Sequence, residues 1–100
     1  MVDSIKARIT EQPGRDAGEI MLYALSTCVW CRKTKKLLLE LGVAFKYIDL
    51  DLLDGPERGP AQYELEKWNP ACSFPTLVIN GNCIIGFKEE AIREALAQDG

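Results

Sequence analysis

Cys28 and Cys31 stand three residues apart in the segment STCVWCRK, residues 26–33, where an apolar run gives way to a helical pattern. Two thiols at that spacing on a helix start lie on one side, near enough to close a disulfide. The first of them sits where unpaired backbone N–H groups and the positive helix end favour a thiolate. The chemistry this suits is thiol–disulfide exchange. Cys28 would attack a substrate disulfide, and Cys31, one turn further in and more buried, would resolve the mixed disulfide by attacking Cys28. Arg32, Lys33, Lys35 and Lys36 crowd the same helix against one acid, Glu40. They should add to thiolate stability modestly, by long-range field more than by contact, because exposed charges are screened.

A Cys-x-x-Cys pair also occurs as half of a zinc or iron–sulfur site, but a structural zinc usually takes its four thiolates as two close pairs. The remaining cysteines, Cys72 and Cys83, are eleven residues apart, and Cys83 falls inside a strand pattern. No metal ligand is assigned. Cys72 reads as an inert small residue in a loop near the thiol pair, and Cys83 as a buried strand residue. Other chemistries fall to composition. The chain has no histidine, which excludes Cys-His nucleophilic pairs, Ser-His-Asp triads and histidine-rich metal sites. A net charge of -3 over 100 residues argues against a nucleic-acid partner. No apolar run approaches the length of a membrane span, and the charged start, with Asp3, Lys6 and Arg8, does not read as a secretory signal. The expected compartment is a reducing cytosol, where close cysteine pairs are catalytic or metal-binding.

The elements around the pair follow from periodicity. Residues 1–19 are polar, with Pro13, Gly14 and Gly18, and form an extension or a short edge strand over the alternating residues 4–10. Residues 20–25 (IMLYAL) are apolar throughout, as a central strand covered on both faces requires. Ser26 and Thr27 provide a turn, and a helix runs from Cys28 through Leu41 to a stop at Gly42. Residues 43–50 make a second strand and 51–59 a loop, followed by a helix with Pro60 in its first turn and Ala61, Leu65 and Trp68 on one face. Asn69 and Pro70 stop that helix. Residues 76–79 and 83–85 form a hairpin about Asn80-Gly81, and a last helix over 88–98 turns Ala91, Ile92, Ala95 and Leu96 to the core. Tyr23, Phe45, Tyr47, Tyr63 and Trp68 fill the core or cover the sheet. Such an order, β-α-β-α-β-β-α, requires an α/β fold whose mixed sheet carries helices on both faces.

Four pieces, in this order, resemble the glutaredoxin family: residues 23–31 (YALSTCVWC), residues 73–76 (SFPT), the hairpin ending in Gly86-Phe87, and the final helix. Within that family the chain is most similar to glutaredoxin-like dithiol redoxins with a weak glutathione signature. The resemblance covers residues 20–100 as one domain. It implies the thioredoxin/glutaredoxin-like three-layer sandwich, with a central mixed four-stranded sheet and an extra N-terminal strand in front. It implies a cis peptide before Pro75, which would face the thiols, and a substrate-binding set of Thr27, Val29, Trp30, Ser73, Phe74, Pro75, Gly86 and Phe87. An extended substrate would add to this edge as one more strand. Partners would be disulfide-containing proteins and, as electron donor, a disulfide reductase or a low-molecular-weight thiol. The protein would be a monomer with no cofactor.

The chain departs from the family where glutathione binds. Leu25 stands where glutathione-using members carry Lys, Lys88 where they often carry Asp, and Ile85 in place of a second Gly. Val29 replaces the usual Pro after the nucleophile. At Leu22 there is no buried Asp beneath the thiols of the kind thioredoxins have, so protons would reach Cys31 through water. Two other readings compete: a carrier of a [2Fe–2S] cluster, and a binding module that uses the fold only as scaffold.

Overall fold

The structure, a computed structural model, describes residues 8–97. Its strands are β1 (Thr10–Gln12), β2 (Ile20–Ala24), β3 (Phe45–Asp49), β4 (Thr76–Ile79) and β5 (Asn82–Ile85). Its helices are α1 (Val29–Leu41), α2 (Gly55–Trp68) and α3 (Glu89–Ala97), with a three-ten turn, Leu50–Leu52, after β3. One five-stranded sheet runs in the order β1-β3-β2-β4-β5. β2 and β3 are parallel, and every other neighbouring pair is antiparallel. Strand β1 is the extra strand in front of a four-stranded core sheet. It pairs Thr10, Glu11 and Gln12 with Tyr47, Lys46 and Phe45. Of the alternating residues 4–10, those before 8 lie outside the described residues, and of the rest only Thr10 belongs to the strand, which runs on to Gln12.

Alternation along the strands separates two cores. Ile20, Leu22 and Ala24 of β2 share one face with Phe45, Leu77 and Ile79, where Leu37 and Leu38 of α1 and Ile92 and Leu96 of α3 cover them. Tyr23, Ile48 and Val78 take the other face, under Ala61 and Leu65 of α2 and Leu50 and Leu53 of the turn before it. β2 has no solvent face, which explains its unbroken apolar run. Among the described residues no helix is long and apolar enough to cross a membrane.

Helix α1 has both its ends written locally. Cys28 is the N-cap in extended conformation, and Gly42 closes the C-terminus at φ 73°, its N–H reaching the carbonyls of Leu38 and Leu39. The left-handed conformation at that position suits glycine. Helix α2 differs from the sequence expectation by beginning at Gly55 rather than at Pro60. Pro56 occupies the first turn, where a missing N–H costs nothing. Pro60 is accommodated inside, at the loss of one bond to the Pro56 carbonyl. Three other expectations change. Tyr63 is exposed beneath the Lys67 ammonium, because it lies away from the face that Ala61 and Leu65 bury. Trp68 is also exposed at the helix end, and Ala91 faces solvent while Ile92 and Leu96 fill the core.

Candidate active site

The two thiols lie at the carboxyl end of β2, between the parallel neighbour β3 and the antiparallel neighbour β4. Residues 25–28 make the turn into α1, closed by a hydrogen bond from Cys28 N–H to the Leu25 carbonyl at 3.2 Å. Cys28 is half-buried, and its Sγ accepts the N–H of Cys31 at 3.2 Å. The thiol thus takes one of the helix-start donors that would otherwise lack a partner. Beneath it Cys31 has 0% exposure and belongs to the core under α1 and α3. Burial first, then its hydrogen bond with Cys28 and the charge there, push the Cys31 thiol up to about 12. A hydrogen bond with the Leu25 backbone and the nearby Lys35 charge pull the other way.

The turn is tied to the end of β3. Ser26 N–H donates to Asp51 Oδ1 at 2.8 Å, and its hydroxyl donates to Oδ2. The Ser26 hydroxyl, ahead of the smaller backbone contributions, holds the Asp51 carboxyl below its usual range. One turn into α1, the buried Thr34 hydroxyl donates to the Trp30 carbonyl at 2.8 Å. Among the described residues, no buried side-chain nitrogen or oxygen lacks a hydrogen-bond partner.

A groove of about 290 Å³, lined by Trp30, Phe74, Pro75, Gly86 and Phe87, opens beside the thiols. The Trp30 and Phe87 rings stack with centroids 5.9 Å apart, and Lys33 Nζ lies 4.9 Å from the Trp30 ring centre. With 55% exposure, Trp30 keeps much of its surface toward solvent. The Phe74–Pro75 bond is cis, and Gly86, at φ 85°, donates its N–H to the Pro75 carbonyl at 2.8 Å. Five residues of the expected substrate-binding set therefore share one wall. Thr27 and Val29 are exposed beside Cys28 but do not line that groove, and the Ser73 hydroxyl is engaged by Asn69. A second cleft, between Gln12, Gly18 and Phe45 at the opposite end of β2, holds none of the thiols.

Asn69 ends α2, as its sequence position suggests, and it also organises the loop that carries Pro75. Its Nδ2 donates to Ser73 Oγ at 2.9 Å and Thr76 Oγ1 at 3.0 Å, with a longer contact to the Ser73 carbonyl, while Oδ1 accepts Ala71 N–H at 3.1 Å. Asp49 ends β3 and Asp51 lies in the turn after it. A carboxylate just past an apolar strand carries no signal of what it will meet. Cys83 is half-buried on the edge strand β5 rather than fully buried, because no strand covers its outer side. Burial raises the pKa of Cys72 and of Cys83, with Glu66 adding to the effect at Cys72. Among the described residues, no three or more Cys, Asp or Glu side chains gather as metal ligands.

Residues 20–84 match the family model described as Glutaredoxin. The fold is similar to a solved glutaredoxin from Methanosarcina mazei Go1, with 51% identity, 89% of this chain and 87% of that one covered, and a TM-score of 0.80. It is similar to Methanosarcina acetivorans methanoredoxin, with 54% identity, coverage of 83% and 88%, and a TM-score of 0.80. Glutaredoxin-C1 of Arabidopsis thaliana is 34% identical over 68 residues, which are 67% of this chain and 52% of that protein.

Proposed function

We propose, because the chain belongs to the glutaredoxin family, that it is a thiol–disulfide oxidoreductase with Cys28 as nucleophile and Cys31 as resolving thiol. The observation that carries the reading is the vertical order of the pair. An accessible sulfur caps the helix, and a fully buried one lies a turn below it.

In the forward direction the Cys28 thiolate attacks one sulfur of a substrate disulfide. The substrate S–S bond breaks, and the other sulfur leaves as a thiolate with the bonding pair. Cys31 then loses its proton to solvent and attacks Cys28 Sγ, and the second substrate sulfur departs as a thiolate. The substrate gains two electrons, and the protein is left with a Cys28–Cys31 disulfide for a donor dithiol to reduce. The high Cys31 pKa suits this order. Two of the causes that raise it, the hydrogen bond and the charge of Cys28, belong to free Cys28 and vanish once that sulfur is in a mixed disulfide. Burial, the largest cause, persists, so the mixed disulfide removes only part of what keeps Cys31 protonated.

Substrates in this reading are protein disulfides laid in the groove of Trp30, Phe74, Pro75 and Phe87, whose apolar wall suits a side chain beside the reacting cysteine. The donor is a disulfide reductase or a low-molecular-weight thiol, with glutathione expected to be a poor one. Leu25 is packed against the apolar cluster under α2 and offers no cation, and exposed Lys88 stands just before α3. The protein acts as a monomer in a reducing cytoplasm. The test is mass spectrometry of serine variants mixed with a disulfide peptide: Cys31→Ser accumulates a mixed disulfide on Cys28, and Cys28→Ser is inert. Trapping by the Cys28 variant alone would reverse the assignment.

A further inference from the structure

Cys31 must shed a proton inside the core before it can attack, and the fold brings one held cation to its side. Lys35 lies four residues on, the next position along the same face of α1. Arg32, Lys33 and Lys36 are all exposed, and Lys35 is the one basic residue of that helix that is not. Its ammonium is fixed in place. Asp49 oxygens hold Nζ at 3.0 and 3.3 Å, and the Tyr47 ring centre lies 4.2 Å away. The side chains of the pair are 21% and 12% exposed, so water screens it less than an ordinary surface bridge. Asp49 and Tyr47 alternate along β3 and point to the layer that contains Cys31, and Asp49 pairs with Ala24, the last residue of β2.

The other charges around Cys31 are engaged or turned away. Asp51 is bound to Ser26. On α3, Glu89 pairs with Arg93, while Glu90 and Glu94, with Lys88 just ahead of the helix, are exposed. β2 and β4 bring no titratable group to this face, since Tyr23 packs in the opposite core, and Lys46 of β3 is exposed. Cys28 itself is the remaining titratable neighbour.

We propose that Lys35, held by Asp49, is the positioning residue of the resolving step: its fixed ammonium stabilises the Cys31 thiolate as it forms beneath the mixed disulfide. The inference rests on the reading of Cys31 as the resolving thiol. Lys35 exchanges neither proton nor electrons. The Cys31 proton goes to water, the Cys31 sulfur bonds to Cys28 Sγ, and the substrate sulfur leaves with the pair from the broken bond. The lowering influence of Lys35 on the Cys31 thiol agrees with this role.

Stopped-flow mixing of the reduced protein with an equimolar dithiobis(nitrobenzoate) separates the two steps, because one coloured thiolate is released by Cys28 attack and a second by resolution. Lys35→Met keeps the length of the stem and removes the charge. It should slow the second release about tenfold at neutral pH, well beyond any change in the first, and move the pH midpoint of the second up by about one unit. Lys35→Arg should keep the wild-type midpoint. A wild-type midpoint in the methionine variant overturns the role of Lys35 while leaving the exchange mechanism standing. Absence of any second release from the wild-type protein would instead remove Cys31 as the resolving thiol.

Discussion

Replacing Asn69 with alanine should show how much of the site depends on one buried amide. Asn69 is 2% exposed and ties the end of α2 to Ala71 and Ser73 of the loop before β4 and to Thr76 at the start of that strand. A neutral hydrogen bond contributes a net of about 0.5–1.5 kcal/mol, and a buried group left without a partner costs about 1–3. Of the groups released, Ala71 N–H and Ser73 Oγ are near solvent, so water replaces part of what is lost. Thr76 Oγ1 is fully buried but still donates to the Ser73 carbonyl at 2.8 Å. Two effective bonds and a small void give a loss of about 2–3 kcal/mol, or roughly 10–20 °C in Tm for a domain of this size. Urea and thermal unfolding measure it directly. Thr76→Val removes the partner hydroxyl, and the double variant should cost less than the sum, with a coupling of about 1 kcal/mol. Because the loop carries Phe74 and Pro75, exchange with a peptide disulfide should weaken through KM. A loss under about 0.5 kcal/mol, or strict additivity in the cycle, would refute the network argument.

Two more predictions concern charge. Asp51 has a folded pKa below the unfolded carboxylate value of about 3.9, so its stabilisation is present above that value and lost as pH falls through the folded one. Urea unfolding across this acid range should therefore show a slope in the wild type that Asp51→Asn lacks, and equal slopes would contradict the Ser26 clamp. Glutathione with its reductase should sustain turnover tenfold to several hundredfold worse than an efficient donor, at roughly 0.5–2 kcal/mol for each of the contacts changed at Leu25 and Lys88. Saturable, efficient turnover with glutathione in a steady-state comparison against disulfide reductases would disprove it.

What the sequence by itself determined was local. An apolar run marked β2, Cys28 and Gly42 marked the two ends of α1, and Asn80-Gly81, both at positive φ, marked the final hairpin. Each is a backbone preference exercised within a few residues, and so is the spacing that puts both thiols at one helix start. The start of α2 was harder, because Pro56 and Pro60 are equally suited to a first turn and only the packing of Leu53, Ala61 and Leu65 chooses between them. Tertiary structure alone decided the environment of the thiols. Ser26 meets Asp51 and Lys35 meets Asp49 because β3 lies beside β2, while Trp30 meets Phe87 because the chain returns through β4 and β5 to the same end of the sheet. These contacts join charges and rings distant in sequence, and neither partner alone carries a pattern that names the other. Their energies depend on distance and screening in the folded protein, so they exist only once the sheet order has brought the strand ends together.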